Sequence, residues 1–505
     1  MLRIYRSYMH NIVKLADNTR VYDVVDVTPL SRAFQLSKRL DNNVYLKRED
    51  ELAIHAFKLR GAYQKISSLT PDQAAKGVVA SSAGNHAQGV ALSAKKLGIE
   101  SVIVMPLSTP KIKVNAVEQL GGKVILHGDV YDDAYHYAKQ LEQDQDLVFI
   151  HPYDDIEVMS GQATVAKELL EQLSGIDKVF VPVGGGGLIA GMATYIKHYA
   201  PEIKVIGVEP QDSPTLYEAL KHNERVILPE VGRFADGVAV KQIGEKTFEI
   251  ARQVVDEVIL VSNDEICAAI KDIYEDVRSI AEPAGALATA GIKKYVKTHS
   301  LKNENLISVV SGANVNFDRL RYIAERADIG EHVEAIIAVT IDERPGSFLR
   351  FCQMLENHSI TEFNYRYGSD TQARIFVGVS LSSGLAEKKQ LLETLSESFD
   401  VLDMSDNSIA KTHIRYMVGG RSSCDDEVLY RFEFPERPGA LLNFLKKVGD
   451  KWNITLFHYR NHGADFGRVL IGLQASGVAE LEKNFDELGY FYQNETDNKA
   501  YQYFL

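Results

Sequence analysis

Short apolar, β-branched runs alternate with helical periodicity from Gly77 onward. Gly77-Val-Val-Ala80 precedes a helix from about His86 to Leu97, and Ser101-Val-Ile-Val-Met105 a helix around Ile112 to Leu120. Lys123-Val-Ile-Leu-His127 precedes a helix from Tyr131 to Leu141, and Leu147-Val-Phe-Ile150 closes the set. A second series runs through Lys178-Val-Phe-Val-Pro-Val183, Lys204-Val-Ile-Gly-Val208, Val258-Ile-Leu-Val261 and Leu306-Ile-Ser-Val-Val310. Its helices are expected over Leu188 to His198, Asn263 to Tyr274 with Asn263 as N-cap, and about Phe317 to Glu325. This alternation predicts βαβ units in parallel sheets, with ligands at the carboxyl ends of the strands. Residues 1–330 should therefore form an α/β body with two subdomains, the smaller over about 64–155.

From about Glu331 the pattern changes and repeats. Glu343-Arg344-Pro345-Gly346 recurs as Glu436-Arg437-Pro438-Gly439, an offset of 437 − 344 = 93. Thr361-Glu-Phe-Asn-Tyr-Arg366 recurs as Thr455-Leu-Phe-His-Tyr-Arg460, an offset of 460 − 366 = 94. Each copy reads strand, helix, strand, strand, helix, strand, the ferredoxin-like arrangement. Two copies are too few for a solenoid, so a packed pair of like domains is expected, joined through Ala410 to Asp426 with its Gly419-Gly420 and Ser422-Ser423.

A chain of 505 residues is too long for one core. Its apolar fraction of 45% and charged fraction of 25% are those of a soluble globular protein. The net charge of −13 argues against nucleic acid or an anionic membrane as partner. Cys267, Cys352 and Cys424 lie far apart, which offers no disulfide framework or zinc site and fits a reducing compartment. No apolar run is long enough to span a bilayer, and the first ten residues lack a signal core. A cytoplasmic protein opening on a short helix is the expectation.

Four segments carry candidate chemistry. Lys58, between Phe57 and Leu59 and just after the charged run Lys47-Arg48-Glu49-Asp50, is either a solvated surface residue or an amine held where water is scarce. In the second case its pKa falls and the neutral amine can form a Schiff base or act as a base. Gly184-Gly185-Gly186-Gly187-Leu188 lies between a strand and a helix, either as a tight turn or as a phosphate cup of backbone amides at a helix N-terminus. No Lys-Ser/Thr follows it and it lacks the spaced GxGxxG, which excludes a Walker loop and a dinucleotide fingerprint. Ser81-Ser82-Ala83-Gly84-Asn85-His86 leaves room for a ligand beside Asn85 or simply opens a helix. Ser311, just past Val310, faces a ligand or caps the next helix. An amine for an aldehyde, a cup for a phosphate, and partners for a 3′-hydroxyl and a ring nitrogen are together what pyridoxal 5′-phosphate requires.

Phe57-Lys58-Leu59-Arg60-Gly61-Ala62, Ser82 to Gly89, Gly184 to Leu188 and Ser311-Gly312-Ala313-Asn314-Val315-Asn316 resemble the fold-type II pyridoxal-phosphate enzymes, specifically the biosynthetic threonine dehydratases (threonine ammonia-lyases). The resemblance runs from about Val27 to the C-terminus and takes in the tandem repeat, with Phe434-Pro435-Glu436 and Trp452 to Arg460. It implies a tryptophan synthase β-like body of two open parallel-sheet subdomains, residues 1–330. Two ferredoxin-like βαββαβ ACT-like domains, 331–409 and 427–505, would follow. It implies Lys58 as the catalytic Schiff-base lysine, Asn85 as partner of the 3′-hydroxyl, and Gly184, Gly185, Gly186, Gly187 and Leu188 as the phosphate site. Ser311 would face the pyridine nitrogen.

The activity implied is dehydration and deamination of L-threonine to 2-oxobutanoate and ammonia, the first step of isoleucine biosynthesis, with L-serine as secondary substrate. Inhibition by isoleucine, opposition by valine and a homotetramer are likewise implied. Phe363 to Arg366 and Phe457 to Arg460 are the candidates for touching the effector. Serine racemases of this fold carry a serine where Ala83 stands and an acid six residues beyond the position of Glu209. Here that residue is Thr215, and no metal is expected. Elsewhere, His55 lines the site or packs, Glu282 and Pro283 start a helix near the cofactor, and Trp452 belongs to a core.

Overall fold

Two units make up the chain in the computed structural model, Met1–Ala327 and Asp328–Leu505. The structure describes residues 2–498 except 108, 233, 318, 343, 345, 356–357, 367–370, 408–409, 412–413, 417–423, 425, 436–439, 449–451, 461–465 and 476. Glu343, Pro345, Glu436 to Gly439, Gly419-Gly420 and Ser422-Ser423 therefore lie outside the described residues, as do the side chains of Arg366, Phe434, Pro435 and Arg460.

The strands of the first unit are β1 (Leu30–Arg32), β2 (Asn43–Arg48), β3 (Val78–Ser81), β4 (Ser101–Met105), β5 (Lys123–Leu126), β6 (Val148–Phe149), β7 (Lys178–Pro182), β8 (Lys204–Pro210), β9 (Glu257–Val261) and β10 (Asn305–Val310). They form a large sheet in the order β1-β2-β10-β7-β8-β9 and a small one in the order β5-β4-β3-β6. Every neighbouring pair is parallel except β1 with β2. Helices cover both faces of the large sheet, so its central strands are apolar on both sides and β7 is buried throughout. One of these cores takes Ile12, Val13 and Ala16 from the opening helix, Leu2–Asp17.

Two details differ from the sequence reading. The alternation begins earlier, with β1 and β2, because the charged pair Lys47 and Arg48 belongs to a strand. Lys47, Arg48, Glu49 and Asp50 are all buried, the first two as the end of β2. The helix Asn263–Val277 is capped one residue earlier than expected, by Ser262. Its hydroxyl accepts from the Glu265 amide at 3.2 Å, and the Glu265 carboxylate accepts from the Ser262 amide at 2.7 Å. This capping box satisfies both ends of the turn, which Asn263 inside the helix would not.

The second unit is one antiparallel sheet of β11 (Glu334–Asp342), β12 (Ile360–Arg366), β13 (Gln372–Ser380), β14 (Asp400–Asp403), β15 (Glu427–Pro435), β16 (Asn453–Arg460), β17 (Phe466–Gln474) and β18 (Phe491–Asn494). Its order is β14-β11-β13-β12-β16-β17-β15-β18, four strands from each repeat. The repeats meet edge to edge where β12 pairs with β16, and Asn364 lies opposite His458. The separation 458 − 364 = 94 is the repeat offset, so a pseudo-two-fold axis passes between these two counterparts, and Phe363 opposite Tyr459 mirrors Tyr365 opposite Phe457. The helices share one core in which Phe363, Phe457, Phe432 and Phe444 are fully buried and against which Trp452 packs. Each repeat also carries the same threonine-to-glutamate hydrogen bond, Thr361 to Glu334 and Thr455 to Glu427.

Candidate active site

Three neighbouring strands of the large sheet end at the same edge, and each delivers one sequence-predicted group. The chain beyond β2 leads to Lys58, β10 runs into Ser311, and β7 runs into Gly184. Backbone pairing joins the first two. Phe57 donates its amide to the Ser311 carbonyl at 3.1 Å, and Ala313 donates to the His55 carbonyl at 2.9 Å. Ala56 forms a bridge to Gly312. His55 takes a left-handed φ of 53° in this stitch, and its ring Nδ1 lies 3.3 Å from the Asp50 carbonyl.

Lys58 opens the helix Lys58–Ser67. Its Nζ sits 4.4 Å from the centroid of the Phe57 ring. Burial brings the amine down from its ordinary value to about 8, against the pull of Glu282 in the other direction. About a tenth of the amine is then neutral at pH 7, against well under a thousandth for an ordinary lysine.

A buried ionic cluster anchors the same helix two residues on. Arg60 reaches Glu49 at 2.7 and 2.9 Å and Glu168 at 2.6 and 3.0 Å. Lys47 reaches Glu168 at 2.6 Å. All four side chains are fully buried. Burial alone would raise the Glu168 carboxyl, but Arg60 and Lys47 hold it below the ordinary carboxylate range. One turn of close approach completes the anchorage. A Cβ on Gly161 of the helix Ile156–Gln172 would stand 2.7 Å from the Gly61 Cα, so only glycine lets these two backbones touch.

The glycine loop is shaped by its neighbours rather than by local turn chemistry. Gly186 has φ 89°, and a Cβ on Gly185 would overlap the Tyr153 ring. The Thr247 hydroxyl donates to the Gly185 carbonyl at 2.8 Å, and the Thr215 hydroxyl lies 3.1 Å from the Gly184 carbonyl. Carbonyls are thus turned outward onto threonines. Among the described residues, no acceptor is found for the amides of Gly184 to Leu188 at the start of the helix Gly187–Tyr199. Unpaired donors at a helix N-terminus form a site for an anion, and the residues present fit the phosphate of pyridoxal phosphate.

Asn85 begins the helix Asn85–Leu97 beyond β3 and faces the same edge from the small sheet. Its Nδ2 donates to Glu282 Oε1 at 2.8 Å, and its Oδ1 accepts from Asn314 Nδ2 at 2.8 Å. Glu282 precedes the helix Pro283–His299; burial and Asp236 push its carboxyl up to about 7, against Asn85, the Asn314 amide and Lys58. The Ser311 hydroxyl is buried and lies 3.4 Å from the Ala284 carbonyl, a long contact that leaves it able to turn to a ligand. His86 is held neutral, its pKa lowered by burial to about 3, with Nε2 2.8 Å from the Ile150 carbonyl.

Glu209 is fully buried and committed to the N-terminus of the helix Thr215–His222. It accepts from the Thr215 hydroxyl at 2.9 Å and from the amides of Leu216 and Tyr217, each at 2.8 Å. Among the described residues no group of three or more His, Cys, Asp or Glu side chains is placed to hold a metal, and no helix is long and apolar enough to cross a membrane.

Lys58, Asn85, the glycine run and Ser311 are thus grouped at one sheet edge. Glu282, Asn314, Thr215, Thr247 and Tyr153 escaped the sequence reading as partners of these groups. Only the Glu282-Pro283 helix start and the Asn314 of the Ser311 motif signalled that anything lay nearby. In the second unit, Phe363 and Phe457 face the core with no exposed surface, whereas Asn364 points away and donates to the Arg415 carbonyl at 3.2 Å. The effector candidates are therefore split between two faces of the sheet.

Residues 21–312 match the family model described as pyridoxal-phosphate dependent enzyme. Residues 325–414 and 418–505 each match that of the C-terminal regulatory domain of threonine dehydratase. The chain is 54% identical over 498 residues to the biosynthetic L-threonine dehydratase IlvA of Pasteurella multocida, covering 98% of this chain and 97% of that one. It is 52% identical over 488 residues to the enzyme of the same name from Escherichia coli, covering 96% and 95%. Among solved structures it resembles the processed form of threonine deaminase isoform 2 from Solanum lycopersicum, with a TM-score of 0.63, 45% identity, and 65% and 89% of the two chains covered. A serine racemase from Dictyostelium discoideum matches with a TM-score of 0.56 and 32% identity over 61% and 99%.

Proposed function

Because the chain belongs to the biosynthetic threonine dehydratase family of pyridoxal-phosphate-dependent enzymes, we propose that it converts L-threonine to 2-oxobutanoate and ammonia on Lys58. It is a carbon–nitrogen lyase. One observation carries the reading: a buried amine of lowered pKa and a row of amides without an acceptor among the described residues lie at the ends of nearby strands of one sheet.

When bound, pyridoxal phosphate supplies an aldehyde that condenses with amines and a conjugated ring that takes up the electron pair left at the α-carbon. The amides of Gly184, Gly185, Gly186, Gly187 and Leu188 would hold its phosphate, Asn85 would face its 3′-hydroxyl, and Ser311 its ring nitrogen. Lys58 Nζ, neutral in part near pH 8, takes the α-proton of the substrate. The β-hydroxyl of threonine then departs as water, the proton that it gains balancing the α-proton taken by Lys58, and hydrolysis of the released 2-aminocrotonate gives 2-oxobutanoate and ammonia. Ser311, unlike a carboxylate, does not hold the ring nitrogen protonated, which favours elimination over transamination and racemisation. Ala83 has no proton to give to the opposite face, which further disfavours racemisation.

Catalysis is assigned to residues 1–330 and regulation to 331–409 and 427–505. Isoleucine would inhibit through the second region and valine oppose it, in a cytoplasmic homotetramer; L-serine would be a secondary substrate giving pyruvate. The regulatory-domain match supports this reading, and the pseudo-two-fold pairing of β12 with β16 puts the repeated segments side by side. The test is release of 2-oxo acid from threonine and from serine, with and without isoleucine. Release from threonine, suppressed by isoleucine, is expected. Activity that isoleucine leaves unchanged would remove the feedback claim, and activity on serine alone would favour a serine-directed eliminase on the same scaffold.

A further inference from the structure

Asn85 can present either end of its amide to a ligand, and its neighbours decide which. The fixed point is the main-chain carbonyl of Ile54, which can only accept. Asn314 Nδ2 lies 2.7 Å from that carbonyl and 2.8 Å from Asn85 Oδ1, so both its hydrogens are used as donors. Asn85 must therefore turn its oxygen to Asn314 and its NH2 group toward Glu282, whose Oε1 accepts at 2.8 Å. Turning the Asn85 amide over would set NH2 against NH2 and a carbonyl oxygen against a carboxyl oxygen, losing both bonds in a buried place. Among the described residues, one hydrogen on Asn85 Nδ2 remains uncommitted.

The receptor for this chain of bonds is itself built in. Glu282 is buried and donates its main-chain amide to the Gly312 carbonyl at 3.0 Å, beside the stitch that carries Lys58. A Cβ on Gly312 would stand 2.6 Å from Glu282 Oε1, so a side chain there would drive the carboxyl off Asn85. Ile54, Asn314, Asn85 and Glu282 come from four separate segments. Asn314 donates in both directions, to Ile54 and to Asn85, and Asn85 donates onward to Glu282, so the Ile54 carbonyl fixes the sense of every bond.

We propose that Asn314 and Glu282 are positioning residues that lock Asn85 as a hydrogen-bond donor, so that the 3′-oxygen of bound pyridoxal phosphate is held as an ionised acceptor. This rests on the reading that Asn85 faces that oxygen. A donor at an oxygen favours its anion, whereas a presented carbonyl would require the oxygen to keep its proton. The protonation of the 3′-oxygen is read directly as the ratio of the long-wavelength ionised band to the short-wavelength neutral band.

The experiment compares absorption spectra and cofactor dissociation for the full-length holoenzyme and its Asn314→Asp, Glu282→Gln, Glu282→Ala and Asn85→Ala variants, and for Asn85→Ala with Asn314→Asp. Aspartate at 314 cannot donate to both Ile54 and Asn85, so the band ratio should fall at least about tenfold, with kcat following and KM for threonine within about twofold. Glu282→Gln keeps an acceptor oxygen and should retain the ionised band, whereas Glu282→Ala should lose it. In the Asn85→Ala background, Asn314→Asp should change the spectrum no further. An unchanged band ratio in Asn314→Asp, or an equal effect with and without Asn85, overturns the proposal. If Asn314→Asp does not fold, the glutamine and alanine variants at 282 decide, and equal spectra for the two overturn it. Wild-type protein that takes up no cofactor would overturn the functional reading itself, a result distinct from either.

Discussion

Replacing Arg60 with methionine tests whether the buried ionic cluster beneath Lys58 holds the first unit together. The cluster is neutral as it stands, with Lys47 and Arg60 against Glu49 and Glu168, and all four side chains have no exposed surface. Arg60→Met deletes the contacts at 2.6 to 3.0 Å to both carboxylates and leaves one uncompensated negative charge in the interior. Breaking a buried pair on one side costs about 3–5 kcal/mol, a large share of the ~5–15 kcal/mol that domains possess. With a urea dependence of about 3 kcal/mol per molar for a body of this size, the midpoint should fall by about 1 M or more. Two probes separate the units. The sole tryptophan, Trp452, packs in the second unit, while bound-cofactor absorbance follows the first. The cofactor transition should move and the Trp452 transition should not. Adding Glu168→Gln restores neutrality, with Lys47 left against Glu49, so the double variant should be more stable than Arg60→Met alone. A midpoint shift below about 0.2 M, or a double variant less stable than the single, would refute the reasoning.

Lys58→Ala should abolish turnover while leaving the fold, checked by 2-oxo acid release and circular dichroism. In apoenzyme, the rate at which Lys58 captures pyridoxal phosphate should rise with pH around a midpoint of about 8, because burial lowers the pKa and only the neutral amine reacts; a midpoint near the ordinary lysine value would contradict the enclosed site. Gly185→Ala pushes a methyl group into the Tyr153 ring and should weaken cofactor retention about tenfold or more, read by equilibrium dialysis. Ser311→Asp should raise transamination and racemisation relative to elimination, measured as product ratios from threonine.

Much of the site was legible in the chain because its groups sit beside strand ends and use distinctive residues. A glycine run after an apolar strand and a lysine among apolar neighbours can be read from a few positions. What stayed hidden depends on long-range partners. The burial of the charged run Lys47 to Asp50 has no local signal, because Lys47 is paired with Glu168, 121 positions away, and only folding brings them together. Asn85 and Glu282 are separated by 197 positions, so the orientation of the Asn85 amide is invisible locally. Charge in β2 also broke the apolar pattern and concealed a strand of the large sheet. The N-cap at Ser262 rather than Asn263 shows the usual limit of boundary reading, since both residue types cap well. The repeat was legible from its offsets, but the edge at which its copies meet, with Asn364 against His458, was not.

The central claim is that Lys58 is the residue to which the cofactor is joined. Borohydride reduction of the holoenzyme, followed by proteolysis and mass mapping, tests it most directly. The pyridoxyl label should lie on the peptide containing Lys58 and be missing from the Lys58→Ala variant; label on another lysine, or none on yellow protein, would contradict the account.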